Sequence, residues 1–204
     1  MKLFFSPLSP YVRKVNVVLH ELGKVDAVEF AEIATTAFQS DTGLIASNPL
    51  GKIPALERPD GPTLYDSRVI CRFLNDAHGG SLYPQSGRQW ETLTLEATGD
   101  GIMDCAVSMA YEVWLRPEAE QSKQWIEAQW SKIARALGVL NARWVSHLEG
   151  PLDIGQIAVG CALGYLDLRH DARGWRDGND ALAGWFEKFD SRDAMRATAP
   201  PAAT

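Results

Sequence analysis

The sequence predicts a chain in two parts, a small α/β region followed by an all-helical one. Two observations carry the first part. Residues 1–80 alternate short apolar runs with helix-spaced patterns, and prolines and glycines separate them. Inside that region Asn48-Pro49-Leu50-Gly51-Lys52-Ile53-Pro54-Ala55-Leu56 reads as a tight turn running into a strand. A third observation carries the second part: from Arg88 onward apolar residues recur at spacings of three and four. The expected organisation is 1–80 as an α/β domain, 81–87 as a linker and 88–204 as a helical domain.

Leu3–Phe5 reads as a short buried strand. Ser9-Pro10 then opens a helix, with serine at the cap and proline at the first helical position. Tyr11, Val15, Val18 and Leu22 continue it at helical spacing, and Gly23 stops it. Val28–Ile33 alternates apolar and polar residues, as a half-buried strand does. Residues 34–47 read as irregular, with room for a short helix. Ala55–Glu57 and Thr63–Tyr65 are two short strands joined by a turn at Arg58-Pro59-Asp60-Gly61-Pro62. Asp66-Ser67 caps an amphipathic run through Val69, Ile70, Phe73, Leu74 and Ala77 that ends at Gly79-Gly80. The order is βαβαββα, with a right-handed first crossover.

The helical part begins with a long helix from about Gln89 to Val113, broken at Arg116-Pro117. The next carries Ile126, Trp130, Ile133, Leu137, Leu140, Trp144 and Leu148 as one continuous stripe, ended by Gly150-Pro151. Asp153 with Gln156 fits a capping box at the start of a buried helix over Ala158–Arg169. A polar loop, Asp171–Asp180, leads to a helix holding Trp185, Phe186 and Phe189, and Ala199–Thr204 reads as a loose tail.

Composition bounds the function. A hydrophobic fraction of 46% and a charged fraction of 23% are those of a globular protein. The net charge of −6 argues against a nucleic-acid partner. No apolar run reaches the length needed to cross a bilayer. The chain enters a strand directly after Met1-Lys2, with no signal-peptide pattern, so a cytoplasmic location is expected. Cys71, Cys105 and Cys161 show no metal-ligand spacing and read as small buried residues in helices, so no metal is expected.

Chemistry concentrates in the α/β part. The residue before a proline is pushed to an extended conformation, which leaves Ile53 with backbone groups available to an extended peptide. A helix start such as Asp66-Ser67 attracts a carboxylate. Together these suit a small anionic peptide, although each alone is also an ordinary turn or cap. Ser9, Ser6 and the aromatic residues near them are the remaining polar and packing candidates. Ser6 is followed by Pro7-Leu8 and lacks the helix-opening pattern.

The order Ser9-Pro10-Tyr11, then Asn48 to Leu56, then Asp66-Ser67, closely resembles the glutathione transferase family, in particular its bacterial and plant serine-type members. The resemblance runs from the first strand to the last helix. It implies a thioredoxin-like glutathione domain, a cis bond before Pro54 and an all-helical second domain. It further implies conjugation of the glutathione thiolate to small hydrophobic electrophiles, homodimerisation and a role in detoxification. No cofactor is implied beyond glutathione as cosubstrate. By the resemblance Ser9 is catalytic, donating a hydrogen bond to the sulfur, and Lys52, Ile53, Pro54, Asp66 and Ser67 hold the tripeptide. The electrophile site would take Tyr11, Asp104, Tyr111 and Trp114. Gln156 departs from the family, which usually carries Asp there. A glutathione-binding protein without turnover, and a reductase, isomerase or dehalogenase using the same thiolate, are alternative readings. The reductase reading is weakened by serine rather than cysteine at position 9.

Overall fold

The computed structural model describes residues 1–85 and 87–201. Ser86, in the expected linker, and Ala202–Thr204, in the expected tail, lie outside the described residues. The chain forms two compact units, Met1–Tyr83 with Ala194–Pro201, and Pro84–Asp193.

The first unit is built on strands β1 (Lys2–Phe5), β2 (Glu29–Glu32), β3 (Ala55–Arg58) and β4 (Gly61–Leu64), ordered β2-β1-β3-β4. Helices α1 (Pro10–Glu21), α2 (Thr42–Ser47) and α3 (Ser67–Ala77) complete it. β1 pairs parallel with β2 (Leu3 opposite Phe30) and antiparallel with β3 (Phe4 opposite Ala55). This is the mixed sheet of a thioredoxin-like fold. Side chains alternate between faces along a strand. Phe4 and Ala55 therefore share one face, which Leu44 of α2 covers. Leu3 and Leu56 point to the other, where α1 and α3 pack on each other. Arg13 of α1 donates from Nη2 to the Met195 carbonyl at 3.1 Å, tying α1 to helix α9 (Asp193–Ala197) within this unit. The sequence pattern gave no sign of α9.

The structure refines three sequence-based expectations. The fourth strand begins at Gly61 rather than Thr63, so Pro62 lies within it. A proline gives no N–H to a ladder, and β4 tolerates it because it is the edge strand. The irregular stretch 34–47 contains α2, whose Leu44 N–H donates to Asp41 Oδ1 at 2.8 Å. The apolar stripe of the fifth helix is interrupted: α5 (Lys123–Val139) passes through a π-helical turn (Leu140–Trp144) before α6 (Val145–Leu148). The wider turn breaks the spacing, leaving Leu137, Leu140 and Leu148 buried but Trp144 only partly so.

The second unit is organised by α4 (Gln89–Leu115) and α7 (Ile154–His170), flanked by α8 (Asp180–Asp190). Their axes come close because small residues sit at the crossing. A Cβ on Gly99 would lie 2.6 Å from the Ala158 carbonyl carbon, and one on Gly155 would lie 2.6 Å from Leu95 Cβ. Cys71 and Cys161 are buried, as their helical positions suggested, but Cys105 is only half-buried. Burial pushes the Cys105 thiol up, away from reactivity.

The start of α7 is held by Asp153, whose carboxyl is almost fully buried. It accepts from the Gln156 N–H at 3.2 Å, Thr92 Oγ1 at 2.8 Å and Arg88 Nη2 at 3.2 Å, and lies 2.9 Å from His147 Nε2. The expected capping box is half made. The Gln156 amide turns back to donate to the Pro151 carbonyl at 2.7 Å. Replacing Asp153 with Ala leaves several buried donors unsatisfied, and urea unfolding should show a loss of about 2–4 kcal/mol. A loss below about 0.5 kcal/mol would mean that water replaces the carboxylate at little cost.

Candidate functional site

In the first unit the sheet topology gathers three chain segments at one end of the strands. β1 runs out through Phe5 into the loop that starts α1. β3 is antiparallel to β1, so its first residues, preceded by Ile53-Pro54, lie beside the last residues of β1. β4 is antiparallel to β3, with Leu64 opposite Leu56, so its exit toward Tyr65-Asp66-Ser67 lies at the same end. Ser9, Ile53-Pro54 and Asp66-Ser67 are thus placed together by strand direction alone. Ser6, the other hydroxyl after β1, offers its carbonyl to the Ser9 N–H at 3.1 Å.

Ser9 is extended (φ −81°, ψ 121°) and caps α1. Its Oγ accepts from the Val12 N–H at 3.4 Å, a long contact for a cap. A hydroxyl has one proton to give and two lone pairs. Accepting from Val12 leaves the proton available to a negatively charged atom in front of the helix, where the aligned peptide dipoles also favour negative charge.

The turn before β3 is braced from inside. Asn48 is buried; its Nδ2 donates to the Lys52 carbonyl at 2.7 Å, and its Oδ1 accepts from the Leu50 N–H at 3.0 Å. Gly51 adopts φ +62°, and an added Cβ there would come within 2.8 Å of Ser40 Cβ, so the turn needs glycine. Ile53–Pro54 is a cis peptide, as the sequence resemblance implied. Ile53 is half-buried, Pro54 buried and Lys52 exposed.

Asp66, which follows a cis Tyr65–Asp66 peptide, caps α3: Oδ1 accepts from the Arg68 N–H and Oδ2 from Arg68 Nη2, both at 3.0 Å. Partial burial pushes its pKa up, but the Arg68 hydrogen bonds and charge, with the Lys14 charge, outweigh that and hold it below 3.8. Ser67 is buried at the first turn. Sequence reasoning missed Arg68 and Lys14. Lys14 is fully buried on α1, and a lysine within an otherwise apolar helix face was the available signal.

The other four sequence candidates separate. Tyr11 lies beside Ser9 in the first turn of α1. Asp104, Tyr111 and Trp114 belong to the second unit, on α4. Their spacings of seven and three put them on one face of the helix. Asp104 is exposed, Tyr111 partly so, and burial pushes the Tyr111 phenol up. Trp114 is half-exposed and carries the Arg169 guanidinium 4.3 Å over its ring. Arg169 was not among the sequence candidates, because it lies on α7 and reaches Trp114 only through the tertiary fold.

Residues 8–77 match the family described as glutathione S-transferase, N-terminal domain, and residues 123–188 the corresponding C-terminal domain. The chain is 33% identical to the GST-like protein YibF of Escherichia coli (strain K12), with all of both chains covered. Its structure superimposes on a glutathione transferase family member from Pseudomonas fluorescens Pf-5 with bound glutathione, with a TM-score of 0.96. The two are 45% identical, covering 98% of this chain and 99% of that one. A second structure from that organism, with bound S-(propanoic acid)-glutathione, gives a TM-score of 0.91 at 44% identity, covering 99% of this chain and 100% of that one. A glutathione S-transferase from Methylobacillus flagellatus KT with glutathione bound gives 0.79 at 36%, covering 98% of each.

Replacing Asp66 with Ala removes the α3 cap and the exposed pair with Arg68. Thermal or urea unfolding at neutral pH should show a loss of about 1 kcal/mol, chiefly the cap. Because folding depresses this carboxyl's pKa, its contribution is present above its ordinary value of 3.8 and is lost as pH falls through the lower folded value. Wild type and variant should therefore converge in acid. A stability gap that persists undiminished there would contradict the assignment.

Proposed function

The chain belongs to the glutathione S-transferase family, and we propose that it joins the thiolate of glutathione to an electrophilic carbon of a small acceptor, as a serine-type member. The observation that carries this is the placement of a capping hydroxyl, a braced cis-proline turn and a capped helix start at one end of the sheet. Glutathione is an extended anionic peptide, and the three segments offer it three kinds of contact. The backbone at Ile53 pairs with the cysteinyl residue. The Asp66 carboxylate takes the γ-glutamyl ammonium, and the Ser67 hydroxyl and N–H take its carboxylate. Lys52 is in reach of the glycyl carboxylate from the exposed side of the turn. Asp66 has lone pairs beyond those given to Arg68, so both cations are accommodated.

The sulfur then lies before α1. An ordinary thiol has a pKa of ~8.5, and each unit of lowering corresponds to ~1.4 kcal/mol of preference for the thiolate. The Ser9 proton and the helix end supply that preference together. Ser9 remains a hydroxyl throughout; the new bond forms between glutathione sulfur and acceptor carbon. Tyr11, Asp104, Tyr111 and Trp114 are the residues proposed for the acceptor. The related Pseudomonas structure holds a thioether of glutathione ending in a carboxylate, the kind of product such a reaction leaves.

No helix among the described residues is long and apolar enough to cross a membrane. We read the protein as a cytoplasmic homodimer, following the family. Sedimentation of the purified chain should give twice 22.5 kDa, and a monomer at micromolar concentration would refute it.

The reaction itself is tested with Ser9→Ala and a chloronitroarene acceptor. Losing a hydrogen bond to a charged sulfur should lower kcat/KM at neutral pH on the order of ten- to hundredfold, while folding stability drops by about 1 kcal/mol. The bound thiol's pKa should rise in the variant. The deficit is then largest below neutrality and closes in alkali, where the thiolate forms unaided. An unshifted pH–rate profile, with turnover intact, would reduce Ser9 to a helix cap.

A further inference from the structure

Residues 194–201 follow the helical unit along the chain, yet they pack as part of the first unit. They carry most of α9, a helix of only five residues. A helix that short does not hold itself together, because nucleation is unfavourable and few hydrogen bonds follow it. Tertiary contacts hold α9 instead. Met195 is fully buried and Ala194 nearly so. The Met195 carbonyl is among the last four of the helix, which have no helical partner. It accepts from two side chains, Arg13 Nη2 at 3.1 Å and Thr198 Oγ1 at 3.3 Å.

Arg13 connects α9 to the start of α1. It is 8% exposed, so its charged donor meets the Met195 carbonyl away from water, where such a bond is strong. Its backbone N–H donates to the Ser9 carbonyl at 3.0 Å, and the N–H of its neighbour Val12 donates to Ser9 Oγ at 3.4 Å. One residue thus holds α9 with its side chain and Ser9 with its backbone. A cap bond of 3.4 Å is too weak to fix a hydroxyl by itself, so the stance of Ser9 depends on what steadies the first turn. The segments proposed to hold the tripeptide are braced separately, Asn48 on Lys52 and Leu50, and Asp66 on Arg68. The competing description is a staple that adds stability and nothing else.

We propose that Arg13 is a positioning residue through which α9 fixes the stance of Ser9. The proposal rests on the role given to Ser9 above and adds a remote element that governs it. Loosening α9 frees the first turn of α1 to shift, and the hydroxyl then meets the glutathione sulfur at a poorer distance and angle. The thiolate loses stabilisation while the tripeptide contacts stay in place. No bond is made or broken at Arg13.

The test measures kcat and the glutathione KM against pH, with a chloronitroarene acceptor, for wild type, Arg13→Gln and Arg13→Lys. In Arg13→Gln the pH–rate profile should move up by about one unit, lowering kcat at neutral pH on the order of tenfold. The glutathione KM should change less than about twofold, and the rates should converge in alkali. Arg13→Lys should recover part of the loss, since an ammonium also donates to a carbonyl. Ending the chain at Asp193 should reproduce the shift, and adding Arg13→Gln to that shortened chain should cost less than about twofold more. An unshifted profile in Arg13→Gln overturns the proposal, as do losses that multiply in the double variant. A stability loss without a shifted profile leaves only the staple and overturns it too. If Arg13→Gln does not fold, Arg13→Lys is read in its place, with a smaller upward shift expected and an unshifted profile overturning the proposal. If the shortened chain does not fold, Met195→Gly takes its part in the comparison. If the wild type turns over no acceptor, the transferase reading fails by itself. Hydrogen exchange then judges the link between α9 and Ser9. The Val12 and Arg13 amides should exchange faster in Met195→Gly, on the order of tenfold, and unchanged exchange overturns the proposal.

Discussion

The antiparallel pairing of β3 against β1 is the constraint from which the site follows. Parallel pairing would send the start of β3 to the opposite end of the sheet, away from the start of α1. Because the strands oppose, the exit of β1, the entry of β3 and the exit of β4 meet at one end. Both faces of the sheet are covered, α2 over Phe4 and Ala55 and the α1–α3 pair over Leu3 and Leu56. That end of the strands is therefore where backbone can remain open to a ligand. The braces around Asn48 and Gly51 act on the same place, holding Ile53 and Pro54 in position before any ligand arrives.

Charge is distributed against the overall balance. The chain carries a net charge of −6, yet its proposed cosubstrate is an anion. Around the proposed glutathione site the fold places Arg68 on Asp66 and the buried Lys14 close enough to lower that carboxyl's pKa, with Lys52 on the adjoining turn. A local field of one sign can attract a ligand that the whole molecule repels at longer range, where salt screens the interaction.

The parts of this molecule readable in the sequence are those specified by local chemistry. Ser9-Pro10, Asp66-Ser67 and the Asn48 to Leu56 turn announce themselves because caps, prolines and glycines act within a few residues of themselves. Ser9 reads as a helix cap from its neighbours and as a hydrogen-bond donor from the family resemblance. In the structure a hydroxyl that accepts from Val12 still has its proton, so the two roles are compatible. What stayed hidden depended on partners far along the chain. Pro62 is admissible in β4 only because nothing pairs on its outer side. Arg169 meets Trp114 across two helices, and Gln156 turns to the Pro151 carbonyl instead of completing a capping box. Helix α9 is five residues long, too short to leave a periodicity.

The π turn at Leu140–Trp144 couples two distant segments. Helix α8 begins at Asp180 without a cap from its own Asn179. The Leu182 N–H instead donates to Asn141 Oδ1 at 3.0 Å, and Asn141 is inside the widened turn. Shortening that turn by a single residue would restore an unbroken α-helix and, by the same step, rotate Asn141 about 100° around the axis. The amide would swing off Leu182, so the penalty for a deletion in one helix would be collected at the first turn of another. A deletion in this stretch would therefore cost a hydrogen bond formed forty-one residues downstream.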